Sequence, residues 1–339
     1  MNTQDYIAIE EKLGAHNYHP LDVVIHKAEG VWVYDVEGNK YMDCLAAYSA
    51  VNQGHCNPKI RKAFFEQAER VTLTSRAFRN DQLPLLYQKL SEMTGFETTL
   101  PMNTGAEAVE TAIKTIRKWG YQKKGIAGNK AEIIVADGNF HGRTTTIVSF
   151  STDPVAYKDY GPFTPGFKIV KYGDIEDIKA NINENTAGIM LEPIQGEGGI
   201  VIPPDGYLKE VKELCKKHNI LFVLDEIQSG LGRTGKLFAY EWEDARPDMV
   251  IIGKALSGGY YPVSAVLSSR DILGVFKPGE HGSTYGGNPL GAAVSIRALE
   301  VIEEDKLVER SHELGQYFMD KLRKIDSPHI VKVRGRGLW

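Results

Sequence analysis

The middle of the chain alternates short apolar runs with amphipathic stretches of helical period. Four runs are almost continuously apolar, which is typical of strands buried on both faces of a parallel sheet. They are Ile133–Ala136, Gly188–Leu191, Ile220–Leu224 and Met249–Ile252. Between two of them, Tyr207–His218 has apolar residues at Leu208, Val211 and Leu214. This alternation predicts an α/β fold with a large, mostly parallel sheet covered by helices.

Each of the four apolar runs is followed by polar or aromatic side chains. In a parallel sheet the carboxyl ends of the strands share one edge, and ligands bind in the crevice there. The side chains expected at that edge are Phe140, His141, Arg143, Glu192, Gln195, Glu197, Asp225, Gln228 and Lys254. Any one of them could be incidental, but four successive strands that deliver such groups predict a ligand site.

The N-terminal part of the chain has the pattern of a small antiparallel unit. Val23–Ile25, Val31–Tyr34 and Lys40–Met42 are β-rich, and Val36–Asn39 separates the last two as a hairpin turn. The following segment is rich in small residues and is expected to place Tyr48 in a loop.

The C-terminal part is predicted to be helical and then extended. A glycine-rich loop carries Ser283 and Thr284, and a long helix is predicted from Pro289 to about Glu304. A second helix is predicted over Leu307–Ile325. A strand is expected to begin at His329 and to have no partner, so we expect the C-terminal unit to be incomplete.

Composition and charge exclude several classes of protein. The 339 residues suffice for one large domain and a smaller one, and the net charge of −4 does not favour nucleic acid or an anionic membrane as partner. The N-terminus resembles neither a signal peptide nor a transit peptide, so a cytoplasmic location is expected. Three scattered cysteines, Cys44, Cys56 and Cys215, indicate a reducing compartment and no metal cluster.

The helix predicted to open near Thr104 has small residues at its start. Thr104 and Glu107 have the spacing of a capping box, and Gly105 and Ala106 follow the cap. The exposed backbone N–H groups of such a start form an anion site suited to a phosphate. A capped helix without a ligand is the alternative on this stretch alone.

Lys254 follows a buried strand and precedes two glycines, Gly258 and Gly259. Lysines are mostly exposed, so a solvated loop lysine is one interpretation. In a partly dry site, however, the pKa of the amine falls and the amine becomes a nucleophile. Together with Asp225 and the helix start, Lys254 suits a phosphorylated pyridine aldehyde, with which the lysine would form a Schiff base.

The neighbouring residues can be given roles toward such a ring. Asp225 would pair with the pyridine nitrogen, Phe140 could stack on one ring face and Ile227 could cover the other. Gln228 could hydrogen-bond the ring hydroxyl. Once substrate displaces it, the amine of Lys254 would serve as general base and acid.

Seven motifs, in order along nearly the whole chain, resemble those of the class III, fold-type I PLP-dependent aminotransferases, and among them the ornithine δ-aminotransferase family. They are Tyr48–His55, Asn103–Glu107, Phe140–Arg143, Glu192–Glu197, Leu224–Gln228, Gly253–Gly259 and His281–Asn288. The resemblance implies pyridoxal 5′-phosphate (PLP) as cofactor. It also implies transfer of the δ-amino group of L-ornithine to 2-oxoglutarate, giving glutamate 5-semialdehyde and glutamate.

The resemblance also implies roles for residues outside the ring-binding set. Ser283 and Thr284 would reach the phosphate of the partner's cofactor in a homodimer. Tyr18 and Arg143 would hold the two ends of the substrate, and a tyrosine matching Tyr48 lines the pocket.

In the family, the glutamate matching Glu197 pairs with a late arginine that binds the α-carboxylate of the second substrate. This chain has no counterpart of that arginine, and Arg334 and Arg336 lie in the predicted terminal strand. We therefore expect poor transamination from a chain that still folds and binds PLP.

Residues 1–47 would form the N-terminal part of a small domain and 48–287 the large PLP domain. Residues 288–339 would form a linking helix and the incomplete C-terminal part of the small domain. The alternatives for function are another class III ω-aminotransferase acting on acetylornithine or 4-aminobutyrate, a PLP racemase or decarboxylase, and a PLP-binding chain with little activity. The combination of Tyr18, Tyr48 and Glu197 favours ornithine.

Overall fold

A computed structural model describes residues 1–339. The strands are β1 (Ile25–Glu29), β2 (Trp32–Asp35), β3 (Lys40–Met42), β4 (Thr98–Met102), β5 (Glu132–Ala136), β6 (Phe167–Val170), β7 (Thr186–Leu191), β8 (Leu221–Asp225), β9 (Met249–Ile252) and β10 (Ser264–Ser268). The helices are α1 (Thr3–Leu13), α2 (Ala46–Ser49), α3 (Pro58–Ala68), α4 (Leu83–Thr94), α5 (Gly105–Trp119), α6 (Pro154–Tyr157), α7 (Ile175–Asn181), α8 (Tyr207–His218), α9 (Arg270–Leu273), α10 (Pro289–Glu304) and α11 (Leu307–Arg323).

Seven strands form the central sheet, in the order β4-β10-β9-β8-β7-β5-β6. The only antiparallel member is β10, which pairs antiparallel with both β4 and β9. The four apolar runs of the sequence are β5, β7, β8 and β9, and these strands are neighbours in that order, each parallel to the next. The predicted α/β fold with a mostly parallel sheet is therefore confirmed.

The core lies on both faces of this sheet. In β9, Val250 and Ile252 belong to one apolar cluster, and Met249 and Ile251 belong to the other. Helix α5 packs on the second face, while α4, α8 and α10 contribute to the first. Burial on both faces explains why these strands are apolar at nearly every position rather than at alternate ones.

The ends of the chain agree only partly with expectation. β1, β2 and β3 form the predicted antiparallel unit, and α10 and α11 match the two predicted helices. The strand expected from His329 is wrong, because residues 324–339 contain no strand. Leu338 N donates instead to Arg233 O at 3.2 Å, and a local turn forms where Arg336 N donates to Trp339 O at 2.9 Å. No helix of the chain has the length and apolar character needed to cross a bilayer.

Candidate active site

The carboxyl ends of the parallel strands and the start of α5 enclose one cavity of about 210 Å³. Its lining residues are Gly105, Ala106, Phe140, His141, Gly142, Glu192, Ile194, Asp225, Ile227, Gln228, Ser229 and Lys254. Every residue that was predicted to hold the cofactor within one chain is among them. Six of the nine side chains expected at this edge line the cavity, namely Phe140, His141, Glu192, Asp225, Gln228 and Lys254, whereas Arg143, Gln195 and Glu197 do not.

The start of α5 is open toward the cavity. Thr104 caps the helix: its Oγ1 accepts from Glu107 N at 3.2 Å, and the Glu107 carboxylate accepts from Thr104 N at 2.8 Å. The first N–H groups of a helix have no acceptor within it, so those of Gly105 and Ala106 remain available. A Cβ on Gly105 would lie only 3.0 Å from Ile227 Cδ1, so glycine keeps this helix start close to the side chain that covers the cavity.

Lys254 begins a short 3₁₀ turn, Lys254–Ser257, directly after β9. Its φ of 45° is in the left-handed region, which is uncommon for a residue with a side chain and typical of functional sites. The side chain is half-buried. Burial lowers the pKa of the Lys254 ammonium, against the opposing attraction of Asp225, Glu197 and Glu192. The bland interpretation as a solvated loop lysine is therefore wrong.

Asp225 ends β8, one strand away from Lys254, and both of its oxygens are bonded. Oδ1 accepts from Ile227 N at 3.0 Å, and Oδ2 lies 2.7 Å from His141 Nδ1. Burial alone would lower the pKa of His141, but its hydrogen bond and attraction to Asp225 outweigh burial and raise it. His141 therefore holds the carboxylate in one orientation, with an electrostatic attraction as well as a hydrogen bond.

Glu192 is a second buried carboxyl in the cavity wall. Its Oε2 accepts from Phe140 N at 3.0 Å, so it ties the loop after β7 to the loop after β5. Burial raises the pKa of Glu192 to about 7, while His141 opposes the rise and Asp225 adds to it. The cavity wall thus holds a carboxyl that carries a proton through much of the acidic range.

The raised pKa of Glu192 predicts a stability difference that depends on pH. Because the folded state favours the protonated carboxyl, its contribution is complete below the ordinary pKa of 4.5 and is lost as the pH rises to about 7. Glu192→Gln keeps an acceptor for Phe140 N and has no proton to lose. We expect the unfolding free energy of the variant, relative to the unsubstituted chain, to rise by up to about 3 kcal/mol from pH 4.5 to pH 8. Urea unfolding at both pH values measures this; a constant difference would contradict it.

Three of the four residues predicted to bind substrate lie beside the cavity. The Arg143 guanidinium is 5.8 Å from the ring centre of Tyr18 and equally far from that of Phe140. Gln228 Nε2 donates to Glu197 Oε1 at 3.2 Å. The exposed side chains of Arg143 and Glu197 therefore lie next to residues that line the cavity, and the exposed Tyr18 lies beside Arg143.

Tyr48 was expected in a loop, but it lies in the single helical turn Ala46–Ser49. It does not line the cavity. All four residues of this turn have φ between 46° and 74°. The left-handed conformation raises the free energy of residues other than glycine by about 1–2 kcal/mol each. The residue types of this turn do not predict it.

The comparison with known families agrees with this geometry. The family model for class III aminotransferases matches residues 13–339. The chain belongs to the class III aminotransferases. An ornithine aminotransferase from Exiguobacterium sp. is 63% identical over 99% of this chain and 84% of its own length.

Two solved structures of class III aminotransferases extend the comparison. An ornithine aminotransferase from Toxoplasma gondii, with PLP partly occupying its active site, is 45% identical and superposes with a TM-score of 0.97 over 99% of this chain and 80% of its own. An acetylornithine aminotransferase from Elizabethkingia anophelis is 50% identical, with a TM-score of 0.90 over 99% of this chain and 83% of its own.

In this class III aminotransferase, Ser283 and Thr284 lie outside the chain's own cavity. Ser283 Oγ accepts from Asn103 Nδ2 at 2.8 Å, and Thr284 is exposed. Their predicted contact with a partner's phosphate remains a prediction.

Some lining residues were not assigned a role from the sequence: His141, Gly142, Glu192, Ile194 and Ser229. His141 and Glu192 had a usable signal, because both follow apolar strands at the edge where the site was expected. Gly142 has a φ of 126°, and a Cβ there would lie 3.1 Å from Ala106 Cβ. This close approach between the loop after β5 and the start of α5 was not visible in the sequence.

Proposed function

We propose that this chain is a PLP-dependent ornithine aminotransferase, which moves the δ-amino group of L-ornithine to 2-oxoglutarate and gives glutamate 5-semialdehyde and glutamate. One observation carries the proposal: a half-buried Lys254, a buried Asp225 and the open start of α5 line the same cavity. The identity of the chain to ornithine aminotransferases supports the choice of substrate.

The residues in the cavity fit PLP. The free N–H groups of Gly105 and Ala106 suit its phosphate, and the buried Asp225 carboxylate suits a protonated ring nitrogen. Phe140 and Ile227 would cover the two ring faces. The side-chain amide of Gln228, which donates to Glu197 in this structure, would also hydrogen-bond the ring hydroxyl. When bound, PLP supplies an electron sink that stabilises negative charge at the substrate carbon that loses a proton.

The side chains of the chain would then do the remaining work. The amine of Lys254, with its pKa lowered by burial, is suited to attack the cofactor aldehyde and later to remove and return a proton. Asp225 would hold the proton on the ring nitrogen, and His141 would fix the position of Asp225. A charge-assisted hydrogen bond of this kind contributes about 1.5–3 kcal/mol.

Substrate residues form a further part of the proposal. Arg143 would bind the α-carboxylate of ornithine, and Tyr18 beside it would bind the α-amino group. The δ-amine at the other end of the substrate would then point toward Lys254. Tyr48 would line the entrance. Glu197 would form part of the substrate pocket, and Gln228 holds it in reach of the cavity.

Acetylornithine is the second candidate substrate, because an acetylornithine aminotransferase is 50% identical to this chain. The two substrates differ at the α-amine, which is charged in ornithine and acylated in acetylornithine. The Tyr18 hydroxyl can accept a hydrogen bond from the charged α-amine of ornithine, and such a bond is stronger than one from the neutral acylated nitrogen of acetylornithine. 4-Aminobutyrate, which has no α-amine and whose carboxylate lies one carbon closer to the reacting amine than in ornithine, is the third.

A substrate comparison tests the choice. With 2-oxoglutarate as acceptor, we expect kcat/KM to be highest for L-ornithine, lower for acetylornithine and lowest for 4-aminobutyrate, since only ornithine offers both groups to Arg143 and Tyr18. Tyr18→Phe keeps the ring against Arg143 and removes the hydroxyl. It should reduce kcat/KM for ornithine by about tenfold, as expected for one lost hydrogen bond to a charged group, and leave 4-aminobutyrate unchanged. A higher kcat/KM for either competitor would replace ornithine as the substrate.

The proposal includes a homodimer, in which Ser283 and Thr284 reach the phosphate of the partner's cofactor, and a cytoplasmic location. It also includes the boundaries 1–47, 48–287 and 288–339 for the first part of the small domain, the large PLP domain and the linking helix with the later part of the small domain. The seven-stranded sheet lies wholly within residues 48–287, which supports this range for the large domain. Sedimentation velocity tests the dimer directly.

A further inference from the structure

One face of α5 is bound to the segment that precedes the Ser283–Thr284 loop. Thr111, Lys114 and Lys118 follow each other at spacings of three and four, so they share one stripe of the helix. Thr111 Oγ1 lies 2.8 Å from His281 Nε2, and Lys114 Nζ lies 2.8 Å from His281 Nδ1. Both nitrogens of one imidazole are thus bonded to the same helix.

The neighbours of His281 strengthen this attachment. Lys118 forms an ion pair with Glu280, and its Nζ lies 5.8 Å from the ring centre of Phe276. The Phe276 ring stacks on His281 with a centre-to-centre distance of 5.1 Å and an angle of 23°. Three side chains of α5 therefore contact three side chains at the base of the loop.

The bonding pattern determines the form of the imidazole. An ammonium can only donate, so Nδ1 of His281 accepts from Lys114 and the proton resides on Nε2. That N–H donates to Thr111, whose hydroxyl donates in turn to Glu107 O at 2.7 Å. Burial, and next the charge of Lys114, lower the pKa of His281 and favour this neutral form.

The loop is attached again two residues further on. Ser283 Oγ accepts from Asn103 Nδ2 at 2.8 Å and from Gly286 N at 3.3 Å. Asn103 Nδ2 also donates to Glu107 Oε1 at 3.2 Å, in the capping box of α5. His281 thus binds the loop to α5 directly, and Ser283 binds it through Asn103 to the capping box of α5, while Thr284 is exposed to solvent.

We propose that His281 is a positioning residue that holds the Ser283–Thr284 loop on α5 so that the loop completes the cofactor site of the partner subunit. This inference rests on the homodimer of the proposed function and deepens it. His281 does not line the cavity of its own chain. Its effect should therefore appear in the other subunit's site.

Single substitutions give the first test. His281→Ala, and Thr111→Val, which removes the hydroxyl at nearly constant volume, should each weaken PLP retention by roughly fivefold to tenfold, the effect of one or two hydrogen bonds. Thr111→Ser keeps the hydroxyl and should retain PLP as the unsubstituted chain does. The measurement is the dissociation constant of PLP from its absorbance during dilution, with sedimentation to show that the dimer persists. Equal PLP retention in Thr111→Val and Thr111→Ser would show that the hydrogen bond between Thr111 and His281 does not position the loop, and would overturn the proposal.

Mixed dimers, purified through two different tags, show which subunit's cofactor site loses PLP when His281 is replaced. In a dimer of His281→Ala with Lys254→Ala, the one site with a lysine receives its loop from the chain with intact His281, so PLP retention should be normal. In a dimer of the unsubstituted chain with the double variant His281→Ala/Lys254→Ala, the lysine site receives the altered loop and retention should fall by the same roughly fivefold to tenfold. Borohydride reduction followed by mass spectrometry reports PLP on Lys254 alone.

The reverse pattern would overturn the inference, because His281 would then act within its own chain. An unsubstituted chain that binds PLP as a monomer would also overturn it, while leaving the proposed transamination intact. An unsubstituted chain that is a dimer and does not bind PLP would instead overturn the proposed function, and this inference with it.

Discussion

Lys254→Ala is expected to abolish turnover, with a loss of at least about 10³-fold, because proton transfer by a positioned side chain alone contributes about 10²–10⁴-fold and this residue would also carry the cofactor. No other lysine lines the cavity. Nothing else there can supply an amine whose pKa burial has lowered. The measurements are steady-state turnover of L-ornithine with 2-oxoglutarate and, after borohydride reduction, the mass of the peptide that contains residue 254.

Lys254→Arg is the matched control. The guanidinium keeps the positive charge beside Asp225 and remains protonated, so it serves neither as nucleophile nor as base. We expect it to be as inactive as the alanine variant, with a thermal unfolding midpoint close to that of the unsubstituted chain. Turnover retained in either variant, or PLP found on another lysine, would refute the assignment.

The strands that the sequence revealed are those whose environment leaves a simple pattern. β5, β7, β8 and β9 lie inside the parallel part of the sheet and are almost continuously apolar, so they stand out. β4 did not stand out because it is an edge strand that begins with two partly exposed threonines. β10 did not stand out because two serines flank its short apolar run, and each of them is satisfied by a specific partner. Ser264 Oγ donates to Thr104 O at 2.7 Å and Ser268 Oγ to Asp248 O at 2.6 Å. β6 is an edge strand with a partly exposed face, which gives it a mixed pattern.

The site was predictable to the level of which side chains meet, because that follows from strand direction. It was not predictable to the level of which atoms bond. The contact of His141 with Asp225, and that of Glu192 with Phe140 N, depend on loop paths and on complete burial. Tyr48 shows the same limit for the backbone, since its left-handed turn contains no glycine.

The segment after His329 shows how an alternating pattern can mislead. Ile330, Val331 and Val333 with intervening polar residues suit a strand. A strand, however, needs a free edge to pair with, and none is paired here: Ile330 N donates to the nearby Ser327 O at 3.1 Å, and the side chain of Arg334 donates through Nε to Gly199 O at 2.7 Å. Local periodicity therefore predicts a capacity to pair, and the surroundings decide whether pairing occurs.

Asp225→Asn is expected to lower kcat/KM for ornithine by about 10²-fold, since 1.5–3 kcal/mol corresponds to roughly 10–150-fold. The amide has nearly the volume of the carboxylate but cannot hold a proton on a ring nitrogen by charge. It also removes the attraction that raises the pKa of His141, so burial should then lower that pKa. Proton NMR of the His141 ring across pH measures the second effect independently of turnover.

Glu226→Gln provides the comparison that separates chemistry from folding. Glu226 follows Asp225 and is also buried, but it does not line the cavity: its carboxylate accepts from Tyr240 N at 3.0 Å and from the Ser229 hydroxyl. Burial raises the pKa of Glu226 to about 7, so glutamine reproduces a form that is already well populated near neutral pH. We expect kcat/KM to change by less than about threefold, within the effect of one neutral hydrogen bond. Equal losses in Asp225→Asn and Glu226→Gln would mean that the loop after β8 needs both carboxylates to fold, and Asp225 would lose its assigned role at the ring nitrogen.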